Sequence, residues 1–323
     1  MKMPPPVANW PKRVAVVGAG AVGSYFGGML ARAGFSAVLI GRPAHTEAIR
    51  RDGLLMESIH FRERVCAEVS TDLAAVRGAD FVLFCVKTRD NEQVARLLAP
   101  HLMPDATVLS LQNGVDNVER IRAASGIEAL PAVVYIAASL PAPGSVKHAG
   151  RGDLVVGLLP WQQDGLRAEQ LQRISQLFPK AAVPCRVSEN IEGELWAKLV
   201  VNCAGNAVTA LGQASYRRAA HLALARQVML DAALEAIAVA RAAGVVLPAG
   251  DLLAAGLKLA EQLGEATSST TQDLQRGRPT EIDSLNGYVV RRGQELGVPT
   301  PVNQTLYALV KLLEDSLAGR CPR

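Results

Sequence analysis

Aromatic residues are scarce in this chain of 323 residues: six Phe, five Tyr and three Trp, 4% in all and thinly scattered. A nucleic-acid surface wants a basic cluster interleaved with stacking rings, so that class is excluded. No sign of charge dominates. The 34 basic and 30 acidic side chains leave a net +4 and are mixed along the chain, as on an ordinary solvated surface. No stretch of about 18 apolar residues runs free of charge, so no membrane span is expected. The beginning, MKMPPPVANWP, has three consecutive prolines and no apolar run of a secretion signal, and reads as a frayed arm. The five cysteines (Cys66, Cys85, Cys185, Cys203 and Cys321) are odd in number and form no CxxC pair. No zinc site or disulfide framework is expected from them. They point to a reduced, cytoplasmic protein with small apolar thiols in its core.

What the chain does have is hydrophobic residues, 49% against 20% charged. At about 150 residues per domain, that is material for two cores. From Arg13 to about Val187 short β-rich runs alternate with helical patterns. Strands are expected at Val14–Val17, Ala37–Ile40, Val65–Val69, Phe81–Val86 and Thr107–Leu111, with helices such as Val22–Ala33 and Asn91–Ala99 between them. That alternation predicts a mostly parallel sheet covered on both faces. Further runs at Ala132–Ala138, Ser145–His148 and Leu154–Leu158, joined through Pro141-Ala142-Pro143-Gly144, predict an antiparallel extension. From about Ser188 onward the pattern is helical: Ile191–Leu211, Ala219–Ala243, Leu252–Leu263, Ile282–Leu296 and Asn303–Leu317. The expected architecture is an α/β domain over residues 12–188 followed by an all-α domain over residues 189–319.

The first strand runs into Gly18, Gly20 and Gly23, in G-x-G-x-x-G spacing, and an amphipathic helix follows. Between a strand and a helix this spacing marks a Rossmann-type dinucleotide loop. Gly18 permits the turn, Gly20 lets backbone approach a pyrophosphate, and Gly23 lets the helix lie on the strand. The intervening Ala19, Ala21 and Val22 would offer backbone N–H groups at the positive end of the helix. A nicotinamide cofactor is therefore expected. At the end of the second strand, Val38-Leu39-Ile40-Gly41-Arg42 has no carboxylate for ribose hydroxyls. Arg42 offers a guanidinium fork suited to a 2′-phosphate, which favours NADP(H); the plain alternative is a surface arginine. Lys87 and Asn113 fall just past two further strand ends, facing the same crevice. Each is either a cofactor or substrate contact or a solvated loop residue.

The helical segment Leu195–Val208 is apolar nearly all round except at Lys198, Asn202 and Asn206. These stand at i, i+4 and i+8 and so share one face. Burying an ammonium and two amides without partners costs about 1–3 kcal/mol or more per group, so the stripe suits a polar cleft. The alternative has Lys198 snorkelling to solvent and both amides satisfied by carbonyls. A lysine facing a partly dehydrated cleft is suited to protonate a developing alkoxide near neutral pH. Downstream, Glu281 is expected in the first turn of a helix, with Thr280 and Asp283 as a capping box.

Taken together, GAGAVGSYFGG, the Lys87 strand end, LQNGVDN, LWAKLVVNCAGNAVTAL, SSTTQDL and PTEIDSLNG resemble the ketopantoate reductase family, in family order from Arg13 to about Leu317. The resemblance implies a Rossmann-type domain, a helical domain and an active site in the cleft between them. It implies Lys198 as general acid and Glu281 as a second catalytic, substrate-binding acid that also meets the cofactor. Asn202, Asn206, Ser269 and Asn113 would bind the substrate. Gly18 to Gly23, Arg42, Lys87 and Asn113 would hold NADP(H). The implied reaction is NADPH-dependent reduction of 2-dehydropantoate to pantoate for coenzyme A synthesis, with no metal, by a monomer or homodimer. Ala207–Tyr216 lacks a further asparagine that some members carry. Two other readings stay open: a related reductase of another small 2-oxo acid, and a non-catalytic NADPH-binding sensor.

Overall fold

The computed structural model describes residues Trp10–Ala318. Most of the expected amino-terminal arm, residues 1–9, and Cys321 lie outside that range. The chain divides into two compact units. One holds the residues up to Gln112 together with Asp116–Ile191, the other Asn113–Val115 together with the chain from Glu192 onward.

The first unit begins with β1 (Val14–Val17), α1 (Ala21–Arg32), β2 (Ala37–Ile40), α2 (Pro43–Asp52), β3 (Leu54–Glu57), β4 (Arg62–Val65) and β5 (Glu68–Ser70). It continues with β6 (Phe81–Phe84), α3 (Asn91–Leu98), β7 (Thr107–Ser110), α4 (Asn117–Ser125), β8 (Leu130–Ser139), β9 (Ser145–Val156), α5 (Gly165–Lys180) and β10 (Cys185–Val187). The sheet order is β4-β3-β9-β8-β7-β6-β1-β2-β5, with β10 beside β9. Strands β5, β2, β1, β6, β7 and β8 run parallel, and β9 turns antiparallel to β8. The expected mixed sheet is the one present.

Its central strands are short and wholly buried, which is why they read as continuous apolar runs rather than alternating ones. Phe178 of α5 meets Phe26 of α1 and Phe81 of β6 edge-on, with centroids 6.2 and 6.1 Å apart. Edge-to-face pairs of this kind add about 0.5–1.5 kcal/mol each beyond their buried area.

Two sheet expectations need correction. Val65–Val69 is not one strand: Val65 ends β4, which pairs antiparallel with β3, and Glu68 starts β5, which pairs parallel with β2. These two strands are the opposite ends of the sheet, yet only Cys66 and Ala67 join them. Three Cα–Cα steps span at most about 11 Å, so the sheet must curl until its rims nearly meet. Ser145–His148 and Leu154–Leu158 are likewise not separate; one strand, β9, runs through both. Register shifts opposite Tyr135/Ile136 and Ala137/Ala138 absorb the intervening residues, with Arg151 and Gly152 at φ 54° and 131°.

The second unit is helical: α6 (Ile191–Leu211), α7 (Tyr216–His221), α8 (Ala223–Ala242), α9 (Leu252–Leu263), α10 (Ser269–Gln275), α11 (Asn286–Leu296) and α12 (Pro301–Ala318). The helix expected over Ala219–Ala243 is broken at Leu222, which is extended between α7 and α8. The one expected from Ile282 starts as a short 3-10 turn, Ile282–Ser284, and restarts at Asn286 beyond Leu285. Glu281 precedes that turn as its cap rather than lying within it, and the capping box does not form. Glu314 takes the Thr280 N–H at 2.7 Å, and the Asp283 carboxylate is held by Tyr307 at 2.5 Å and Lys311 at 3.1 Å. Cys203 is buried as expected of an apolar thiol, whereas Cys66 is exposed.

Candidate active site

In the first unit the chain leaves β1 through Gly18, at φ +99°, where a side chain would be strained. A Cβ there would also lie 2.7 Å from the Val86 nitrogen, and one on Gly23 would collide with the Gly18 oxygen. Gly20 differs: a Cβ there meets nothing within 4 Å. Two of the glycines are thus required by close packing, and the third leaves its backbone bare toward open space. Gly20 caps α1 without any side-chain hydrogen bond, so Ala21, Val22 and Gly23 form the opening turn of a 12-residue helix. Ala19 is buried, with Gly41 so near that a Cβ on Gly41 would fall 2.8 Å from the Ala19 Cβ. The Gly18 and Ala19 amides donate to the Ile40 carbonyl at 3.0 and 2.8 Å. The end of β2, and with it the exposed Arg42 that caps α2, is thereby fixed beside the loop.

Two buried polar devices stiffen this neighbourhood, and sequence reasoning missed both. His45 Nδ1 accepts the Gly144 N–H at 2.9 Å, which leaves the proton of the neutral ring on Nε2, 3.0 Å from Ser24 Oγ. Burial lowers the His45 pKa. The second device joins the loops after β6 and β7. Gln112 Nε2 donates to the Val86 carbonyl at 3.0 Å and Asn91 Oδ1 at 3.3 Å, while Ser110 Oγ donates to Gln112 Oε1 at 2.8 Å. Gln112 thus sits between Val86, the neighbour of half-buried Lys87, and Asn113, its own neighbour. A glutamine with both ends satisfied in a buried network holds those two strand ends in register.

In the helical unit three expected residues come together. Lys198 Nζ donates to Asn113 Oδ1 at 3.0 Å, and Asn113 Nδ2 donates to Glu281 Oε2 at 3.2 Å. An ammonium only donates and a carboxylate only accepts, so one orientation of the Asn113 amide satisfies both. All three side chains are half-buried. The result is an ammonium and a carboxylate joined through one amide.

The rest of the stripe is not uniform. Asn202 is half-buried one turn beyond Lys198, but Asn206 is buried, and its Oδ1 accepts the Tyr216 hydroxyl at 2.7 Å. Its partner is a phenol rather than a carbonyl, and burial pushes the Tyr216 pKa up. Ser269 is exposed at the start of α10. The structure ties its neighbour Ser268, not Ser269, to α6, through the Asn206 carbonyl at 3.2 Å and Thr209 Oγ1 at 2.9 Å. Among the described residues no cluster of three metal-binding side chains occurs, and no helix is long and apolar enough to cross a membrane.

The geometry can hold a dinucleotide at a glycine loop and present an ammonium near a carboxylate, the equipment of a carbonyl reductase. Comparison with known proteins agrees with it. Residues 14–161 match the family model described as ketopantoate reductase PanE/ApbA, and residues 190–314 match its C-terminal counterpart. A 2-dehydropantoate 2-reductase of Pyrococcus abyssi is 31% identical over 310 residues, covering 95% of this chain and 99% of that protein. A crystal structure of a PanE/ApbA family ketopantoate reductase from Ralstonia eutropha JMP134 superposes with a TM-score of 0.88 at 46% identity, covering 95% and 99% of the two chains. A D-mandelate dehydrogenase solved with NADH and anilino(oxo)acetate gives 0.88 at 25% identity and the same coverage. With both halves of the chain matched in order and relatives aligned end to end, this oxidoreductase belongs to the ketopantoate reductase family.

Proposed function

We propose that the protein reduces 2-dehydropantoate to (R)-pantoate with NADPH, on the route to pantothenate and coenzyme A. The observation that carries this reading is the Lys198–Asn113–Glu281 arrangement, at 3.0 and 3.2 Å. In this reading residues 12–188 hold the dinucleotide and residues 189–319 carry the proton donor and the substrate contacts.

The residues suit the cofactor. The open side of Gly20 leaves room where a pyrophosphate would lie, and the first turn of α1 supplies N–H groups and a positive dipole end. Arg42 would take the 2′-phosphate, and Lys87 and Asn113 would contact the remainder. When bound, NADPH supplies the hydride for the ketone carbon. Lys198 would hold a proton at Nζ and release it to the ketone oxygen as the C=O bond becomes C–OH; the amine regains a proton from water. Asn113 would aim that ammonium, and Glu281 would orient the substrate and part of the cofactor. Asn202 and Ser269 would bind the acid's polar groups, with Asn206 offering its Nδ2 because Tyr216 occupies its oxygen.

A second reading, a reductase of another 2-oxo acid, is favoured by the likeness to D-mandelate dehydrogenase at a TM-score of 0.88. Following absorbance at the nicotinamide band with ketopantoate, pyruvate and phenylglyoxylate, each with NADPH and NADH, separates the two. Lys198→Ala is expected to lower turnover by about 10²-fold or more, the usual loss for a general acid, with NADPH affinity nearly unchanged. Turnover unaffected by that substitution would remove Lys198 from the chemistry.

A further inference from the structure

Glu281 lies at the end of a stretch without regular structure. Between α10 and the 3-10 turn at Ile282–Ser284, Gly277 stands at φ +61° and Pro279 has no N–H to give. The Thr280 and Ile282 N–H groups go to side chains instead, at 2.7 Å to Glu314 Oε1 and 3.2 Å to Thr280 Oγ1. What fixes this stretch comes from α12. Tyr307, Lys311 and Glu314 stand at i, i+4 and i+7 and so share one face of that helix. Glu314 Oε1 also accepts the Thr280 hydroxyl at 2.6 Å, and Glu314 Oε2 accepts Lys311 Nζ at 2.9 Å. Lys311 and Tyr307 reach on to the Asp283 carboxylate, and Ile282 shares a buried cluster with Leu306 and Val310. Thr280, Ile282 and Asp283 are thus each met by α12. Between them Glu281 turns its carboxylate to Asn113 Nδ2 at 3.2 Å.

These links differ in how easily solvent replaces them. The Asp283 and Lys311 side chains are 51% and 42% exposed, and an ion pair that open is worth little. The Glu314 side chain is 12% exposed and Thr280 is buried, so water is a poor substitute for an acceptor with two donors aimed at it. Resting on the reading of Glu281 as the substrate-binding carboxylate, we propose that Glu314 is a positioning residue for the reduction. Through Thr280 it fixes the backbone from which Glu281 reaches Asn113 and the acid. A displacement of about 1 Å at such a site costs up to about 10²-fold in rate.

The test is kcat/KM for ketopantoate with NADPH, measured for Glu314→Ala in the parent and in a Glu281→Ala background. Expected is a loss of about 10-fold or more in the parent but within about 2-fold in Glu281→Ala, where no carboxylate is left to position. Equal losses in the two backgrounds, or none in the parent, overturn the proposal while leaving the reductase reading intact. A parent that reduces no 2-oxo acid overturns both. Glu314→Gln keeps Oε1 as acceptor for both Thr280 donors and should hold kcat/KM within about 3-fold of the parent. A glutamine variant as weak as the alanine one overturns the route through Thr280. Glu235→Ala controls for a loosened helix, since Glu235 holds the opposite end of α12 through the Val302 N–H at 2.8 Å. It should lower the melting temperature yet leave kcat/KM within about 2-fold; a loss matching that of Glu314→Ala overturns the proposal. Thr280→Val removes the hydroxyl bond without altering α12, and should lose about 3-fold or more only where Glu281 is present. No loss from it, or the same loss in Glu281→Ala, overturns the assignment even where Glu314→Ala does not fold.

Discussion

Asn113 is the residue on which the candidate site turns, because its amide must face two ways at once. Asn113→Asp would keep an acceptor toward Lys198 but set a second carboxylate against Glu281, across the present 3.2 Å. Two carboxylates that close cannot both ionise cheaply, so one carboxyl pKa rises. The expected outcome is a fall in kcat/KM of about 10-fold or more at neutral pH, and an activity profile displaced from that of the parent across pH 5–9. A profile unchanged in position would show that the amide is not the link. His45 makes the other residue-scale prediction. Its folded pKa lies below the ordinary value of about 6.5. The unfolded chain therefore binds a proton more readily as pH falls. The stability His45 contributes is present above about pH 6.5 and lost as pH drops through the folded value. Protonation also puts a hydrogen on Nδ1, where the Gly144 N–H is now accepted. Melting temperature measured from pH 7.5 to 5 should decline, and His45→Gln should flatten that slope; an equal slope in both proteins removes His45 as the cause. Of these two residues, only Asn113 was visible in the sequence, by its place after a strand. Its partners stand 85 and 168 positions away, so no local pattern could show what it bridges.

At the level of elements, the start of α12 is held by a carboxylate from another helix. Glu235 of α8 accepts the Val302 and Asn303 backbone N–H groups at 2.8 and 2.9 Å, and the Asn303 side-chain amide at 2.8 Å. Asn303 in turn accepts from Asn286 of α11 at 2.9 Å, so one network seats three helices. Glu235→Ala leaves buried donors without that acceptor and should cost about 1–3 kcal/mol of unfolding free energy. Urea titration followed by far-UV circular dichroism measures this, and a change under ~0.5 kcal/mol would show that solvent replaces the carboxylate. Periodic segments, such as Asn91–Leu98, were legible because amphipathic spacing is local information. The ends of α7, α8 and the turn at Ile282 were not. At that turn the partner comes from a distant element, Glu314 for Thr280, and overrides the nearby S/T-x-x-D/E pattern.

For the whole molecule, ligand linkage gives the broadest check. A cofactor that binds only the folded chain stabilises it by about 2.7 kcal/mol at 100 times its dissociation constant. Thermal unfolding should shift upward with NADPH by more than with NADH, and Arg42→Ala should erase the difference. An equal shift from both cofactors in the parent would take Arg42 out of the recognition. The class of the fold was readable from alternating strand and helix patterns, and the glycine loop from its setting. What could not be read was closure of the sheet, because it depends on which partners β4 and β5 choose across the unit. That closure has a consequence for solubility. Its outermost strands are the three-residue β5 and the charged Arg62-Glu63-Arg64 stretch of β4, tethered by Cys66 and Ala67. Neither rim offers an incoming chain a long, flat, greasy template, so cross-strand aggregation is discouraged where open sheets are most vulnerable.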